Sequence, residues 1–149
     1  MDDRVIQYFT QGLELAQDEF YLDATHKFNM LIEEFPENDL ADDALYNIGL
    51  CYFRMKQYGL AIETFQQVIY NYPGSTISAL ENKNESGMTA AKCYYSILLS
   101  HIAMGNKAMA DEAACQLEQF SDNTFVIINN EKKTYSELAH MALQTNMSC

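Results

Sequence analysis

The chain repeats itself. Gly12 and Gly49, Tyr21 and Tyr58, Ala24 and Ala61, Phe28 and Phe65, Ile32 and Ile69, and Pro36 and Pro73 are six identities at a single offset of 37 residues. All fall at glycine, alanine, proline, aromatic or aliphatic positions, the kinds of residue that packing selects. A period of about 34–40 residues belongs to stacked helix pairs, each too small to bury its own apolar face.

Inside the second unit the apolar residues fall at steps of three and four. Ala44, Leu45, Ile48, Cys51 and Tyr52 form one stripe, and Leu60, Ala61, Phe65, Val68, Ile69 and Tyr72 form another. That spacing predicts two amphipathic helices with a break at Tyr58 and Gly59. Pro73 ends the second helix, because proline lacks a backbone donor and disfavours helical geometry in the residue before it. Pro36 does the same in the first unit.

A third unit is visible in altered form. Residues 90–99 read as its first helix, and Met104 to Ala110 follows the wording of Met55 to Ala61. No proline closes it, and Ala114 stands where Phe28 and Phe65 stand in the earlier units. The predicted boundaries within a single domain, 1–149, are about 5–38, 42–75 and 88–121, followed by an extension over 122–149. Residues 74–87, rich in turn formers, read as a loop or as an extension of the next helix.

In the extension, the β-rich run from Thr124 and the pair Asn129 and Asn130 suggest a small hairpin near 124–135. Thr134 and Glu137 have the spacing of a capping box, in which each side chain satisfies the other's free backbone donor. Leu138, Met141 and Ala142 continue the stripe of a last helix to about Asn146.

The pattern of Leu45, Ile48 and Gly49, Tyr52, Ala61, Phe65 and Pro73 resembles the tetratricopeptide repeat. The first unit keeps Tyr8, Gly12, Ala24, Phe28 and Pro36 of that pattern, with Gln11 and Leu15 where an apolar residue and an aromatic are usual. The wording of residues 28–36 and 65–75 is similar to bacterial members of the family. The resemblance implies an all-α fold: antiparallel helix pairs stacked as a short right-handed solenoid of about three units, closed by a C-terminal helix.

The resemblance also implies where a ligand would sit, since the first helix of each repeat lines the concave face in this family. The candidates for partner binding are Phe9 and Leu13 in the first unit, Tyr46, Asn47, Leu50, Phe53 and Arg54 in the second, and Tyr95 and Leu99 in the third. A carboxylate clamp needs lysines and asparagines on this face. Phe9 and Leu13 stand where the first lysine and asparagine would be. The expected ligand is therefore an apolar peptide or an amphipathic helix. An alternative is that the C-terminal helix lies in the groove and buries Tyr46, Leu50 and Phe53.

Charge narrows the partner. The formal net charge is −12, and residues 1–43 hold twelve carboxylates against Arg4 and Lys27. Nucleic acid and anionic membranes attract basic surfaces, so neither is an expected partner. Another protein with an apolar or basic segment is, and self-assembly into a homo-oligomer is the second reading. Glu33, Glu34, Glu37, Asp39, Asp42 and Asp43 cluster at the turn between units, where carboxylates complement a helix N-terminus.

Catalysis has no motif to rest on. The sequence holds no glycine loop for phosphate, no nucleophile elbow and no Cys/His pairing at ligand spacing. His26, His101 and His140 fall in separate helices, and no metal or cofactor is expected. Cys51, Cys93, Cys115 and Cys149 are widely spaced and read as free thiols. With no signal-peptide pattern at the start, the expected location is cytoplasmic, or periplasmic if a leader has been removed.

Overall fold

The computed structural model describes residues 2–78, 80, 84–120 and 124–147, the side chains of 145–147 excepted. Cys149 and parts of both long connections lie outside the described residues. Three helix pairs follow one another: α1 (Asp3–Gln17) with α2 (Tyr21–Glu34), α3 (Ala41–Arg54) with α4 (Tyr58–Asn71), and α5 (Thr89–Ala103) with α6 (Lys107–Leu117). Each second helix also packs on the first helix of the next pair, so the units stack. A final helix, α7 (Tyr135–Met147), packs on α5 and α6.

One turn is built three times. Glu19, Lys56 and Gly105 have positive φ values of 67°, 63° and 75°. In each case the next residue donates its N–H to a carbonyl five residues back: Phe20 to Leu15, Gln57 to Tyr52 and Asn106 to His101, all at 2.8 Å. Glu19, Lys56 and Gly105 donate to Ala16, Phe53 and Ile102. This double closure is the Schellman motif, which satisfies the last carbonyls of a helix. Only the third unit places glycine at the left-handed residue. The break between α3 and α4 thus falls at residues 55–57, earlier than expected at Tyr58 and Gly59, because backbone geometry at Lys56 rather than the glycine turns the chain.

The repeated glycines have a packing reason. A Cβ on Gly12 would lie 2.5 Å from Phe28 Cε1, and one on Gly49 would lie 2.5 Å from Phe65 Cε1. Both phenylalanines are fully buried. In the third unit the residue twelve before Ala110 is Leu98, where Gly49 stands twelve before Ala61. Leu98 is fully buried and Ala114 is 5% exposed, in one cluster. The bulk has moved from the second helix to the first, which is why the third unit departs from the pattern yet keeps its packing.

The connections hold a small sheet. The expected hairpin forms from β2 (Phe125–Ile128) and β3 (Glu131–Thr134), with Phe125 opposite Thr134 and Ile128 opposite Glu131. Asn129 and Asn130 both take positive φ, 53° and 65°, as a two-residue turn of the primed type requires. The capping box closes as expected: Glu137 N donates to Thr134 Oγ1 at 3.1 Å, and Thr134 N to Glu137 Oε1 at 3.4 Å.

Over its described residues the segment 74–87 is neither a plain loop nor a helical extension. Its strand β1 (Glu85–Ser86) pairs antiparallel with β2, Glu85 opposite Val126 and Ser86 opposite Phe125, giving the order β1-β2-β3. Gly87, at φ 119°, makes the closest approach: a Cβ there would lie 2.5 Å from Thr124 Cα. The edge of this segment needed a partner some forty residues away, which local pattern does not reveal.

Candidate partner-binding face

The first helices of the pairs, α1, α3 and α5, carry all nine predicted residues, and packing divides them. Phe9 is fully buried, its ring edge-on to Phe28 with centroids 5.9 Å apart. It offers no surface to a ligand. Tyr46 is 5% exposed and belongs to the core between the second and third units, its ring tilted against Phe65 at 5.4 Å. The Tyr46 hydroxyl shares a 3.0 Å hydrogen bond with the Ser96 hydroxyl, which also reaches Lys92 O at 3.1 Å. Phe53 packs edge-on against Tyr58 across the inter-helix turn at 5.3 Å.

Four of the nine come together. Leu13, Asn47, Leu50 and Arg54 line a cleft of about 470 Å³ between α1 and α3. Leu13 and Leu50 are half-buried and Arg54 is exposed. Asn47 is buried and its Nδ2 donates to Asp43 O at 2.8 Å, which holds its carboxamide in place. Ala16, Gln17, Glu19 and Tyr21 complete the walls. Ala16 and Gln17 come from the last turn of α1, while Glu19 and Tyr21, from the turn and the start of α2, are missed by a reading confined to first helices. Cys51 also borders the cleft, and burial raises its thiol to about 11 against the smaller opposing effect of Arg54. It is therefore protonated near neutrality and a poor nucleophile.

The third unit's face is largely occupied. Tyr95 packs on Tyr135 of α7 with ring centroids 5.6 Å apart, and Leu99 is half-buried. Ala139 and Leu143 of α7 are buried in the same cluster as Tyr46 and Ile97. The C-terminal helix thus covers the third unit and leaves the α1–α3 cleft open.

A buried polar group lies under α7. Lys92 Nζ pairs with Glu85 at 2.6 Å, their side chains only 6% and 13% exposed, and sits 4.3 Å from the centroid of the Tyr46 ring. Burial above all, then the charge of Glu85, pushes the Tyr135 hydroxyl far above its usual range. The group links α3, β1, α5 and α7. The one signal for it in the sequence is a lysine amid the apolar run of residues 90–99.

The acidic cluster divides in the same way. Asp42 accepts from Thr89 Oγ1 at 2.7 Å, and Asp43 accepts from Ser78 N at 3.3 Å, both buried in the first turn of α3. They fasten the second unit to the third, while Glu33, Glu34, Glu37 and Asp39 are not among the buried residues. Among the described residues, no group of three or more His, Cys, Asp and Glu is arranged to hold a metal ion. No described helix is long and apolar enough to cross a membrane.

Stacked helix pairs exposing an inter-repeat cleft define a helical-repeat scaffold. Comparison with known proteins agrees: residues 43–75 match the family model of the tetratricopeptide repeat. The chain thus carries a tetratricopeptide repeat at these residues, the middle one of three stacked helix pairs. Its structure is similar to that of the Hsp90 co-chaperone Cns1 from Saccharomyces cerevisiae (delta69), with a TM-score of 0.65 at 18% identity. The likeness covers 95% of this chain and spans 38% of that one. No curated protein matches the chain in sequence.

Proposed function

We propose that this protein is a non-catalytic interaction module that holds a segment of another protein in the cleft between α1 and α3. The observation that carries the reading is the convergence of Leu13, Leu50, Asn47 and Arg54 on one cavity of about 470 Å³. Two leucines give apolar area, and Arg54 with Glu19 gives charge at the rim. That combination suits an extended or helical segment with a few apolar anchors, in which area supplies affinity and polar groups set register. The tetratricopeptide repeat at 43–75 supports the reading.

The aromatic groove that the sequence suggested is narrower in this proposal. Phe9 and Tyr46 serve the core, and Tyr95 serves the contact with α7, so of the nine residues the apolar anchors in the cleft are Leu13 and Leu50. Leu50→Glu puts a charge on the cleft floor at a half-buried site. It is expected to abolish recovery of the partner from the native host by affinity capture and mass spectrometry, with an unchanged helical circular-dichroism spectrum. Undiminished recovery by the folded variant removes the cleft from the function.

A further inference from the structure

On the opposite side of the stack, α4 and α6 separate to leave an outer cleft of about 560 Å³. Ile69 and Tyr70 form one wall, Met109 and Ala113 the other, and Ile97 and His101 of α5 the floor. Tyr70 is 86% exposed and Met109 42%, an unusual amount of large apolar surface for one site.

The internal repeat shows how the cleft arises. Where the first unit meets the second, the positions equivalent to Tyr70, His101 and Ala113 hold Glu33, Tyr52 and Thr64. Tyrosine to histidine and threonine to alanine each remove bulk, while glutamate to tyrosine removes charge and adds a ring. Tyr94 stands where Leu45 does, so the junction gives up bulk at two positions and gains rings at two others.

A polar group waits in the floor. His101 is 8% exposed, and its Nδ1 has no hydrogen-bond partner. A buried donor or acceptor is ordinarily satisfied, and an exception calls for an explanation.

Charge selects the occupant. Glu112 lines the cleft. Along α4 and α6 as a whole, Glu63, Asp111 and Glu112 stand against Lys107 alone. A second copy of this chain docked by the same cleft would set its Glu112 against this one and bring a net charge of −12 to a protein of the same charge, which opposes self-pairing. The eleven residues of α6 span about 16 Å, the length of three helical turns.

We propose that the outer cleft is a second docking site, taking the apolar face of a basic amphipathic helix from a partner protein. Its apolar residues enter between Tyr70 and Met109, and its lysines or arginines face Glu112. The site is independent of the α1–α3 cleft, so either assignment can fail alone.

The test is fluorescence anisotropy with a labelled helical peptide of leucine and lysine about 14 residues long, beside its leucine and glutamate counterpart. Tyr70→Lys, at an exposed position, and Ala113→Phe, which fills the cleft, are each expected to weaken the lysine peptide about tenfold or more. If Ala113→Phe does not fold, Tyr70→Lys decides. Equal binding of the glutamate peptide overturns the proposal, as does undiminished binding by Tyr70→Lys. Loss only with Leu50→Glu overturns it too, since the peptide would then lie in the α1–α3 cleft. Self-association abolished by Tyr70→Lys would give the cleft to a second copy and likewise overturn it.

Discussion

Exchanging the large and small partners of the second unit, so that it copies the third, tests the packing directly. Phe65→Ala removes a fully buried ring and is expected to cost about 3–5 kcal/mol. Gly49→Leu places a side chain where even a Cβ meets Phe65 Cε1 at 2.5 Å, at a cost of about 1–3 kcal/mol from overpacking. Were the two independent, the double variant would lose about 4–8 kcal/mol, enough to unfold a domain of ordinary stability. If the leucine introduced by Gly49→Leu enters the space vacated by the ring, as Leu98 does beside Ala114, the two changes compensate each other. The expected coupling is about 2–3 kcal/mol in favour of the double variant. Recovery stays incomplete, because the ring contact of Phe65 with Tyr46 at 5.4 Å is lost and contributes about 0.5–1.5 kcal/mol. Urea titrations of the four proteins, compared by midpoint at constant m-value, give the coupling. Additivity within about 0.5 kcal/mol would refute the idea that the third unit is the same packing with its bulk transferred.

Three further outcomes follow from the structure. Lys92→Met strands the Glu85 carboxylate at a site 13% exposed and is expected to destabilise the protein by about 3–5 kcal/mol. Hydrogen exchange should then speed up in α7 and the sheet before α1 and α2, and uniform acceleration would contradict the linking role of the pair. Gly87→Ala brings a Cβ to 2.5 Å from Thr124 Cα at φ 119°, so it should release β1 and lower the melting temperature, whereas Gly74→Ala, with open space around it, should not. Asp42 has its carboxyl raised above the usual range by burial, only partly opposed by the Thr89 hydrogen bond. A raised acid adds stability that is complete below its unfolded value and is lost as pH climbs through the folded one. Asp42→Asn should therefore remove a decline in stability on leaving acid pH, and an unchanged pH profile from thermal melts would show that Asp42 does not contribute one.

The 37-residue period, and with it the fold class, was legible in the order of residues. Glycine opposite phenylalanine, the closing Pro36 and Pro73, the Asn129–Asn130 turn and the Thr134–Glu137 capping box are local matters, settled within a helix turn or between neighbouring helices, and one-dimensional spacing records them. Which first-helix residues remain available to a ligand is a matter of packing between units. Phe9, Tyr46 and Leu50 share the same helical stripes, yet two are core and one borders a cleft, because burial depends on what the neighbouring unit presents. Non-local partners settled the rest: β1 needed the edge of β2, Lys92 needed Glu85 and the Tyr46 ring, and Tyr95 needed α7. The outer cleft combines smaller residues at His101 and Ala113 with an exposed ring at Tyr70, and their joint effect exists only once α4, α5 and α6 have packed.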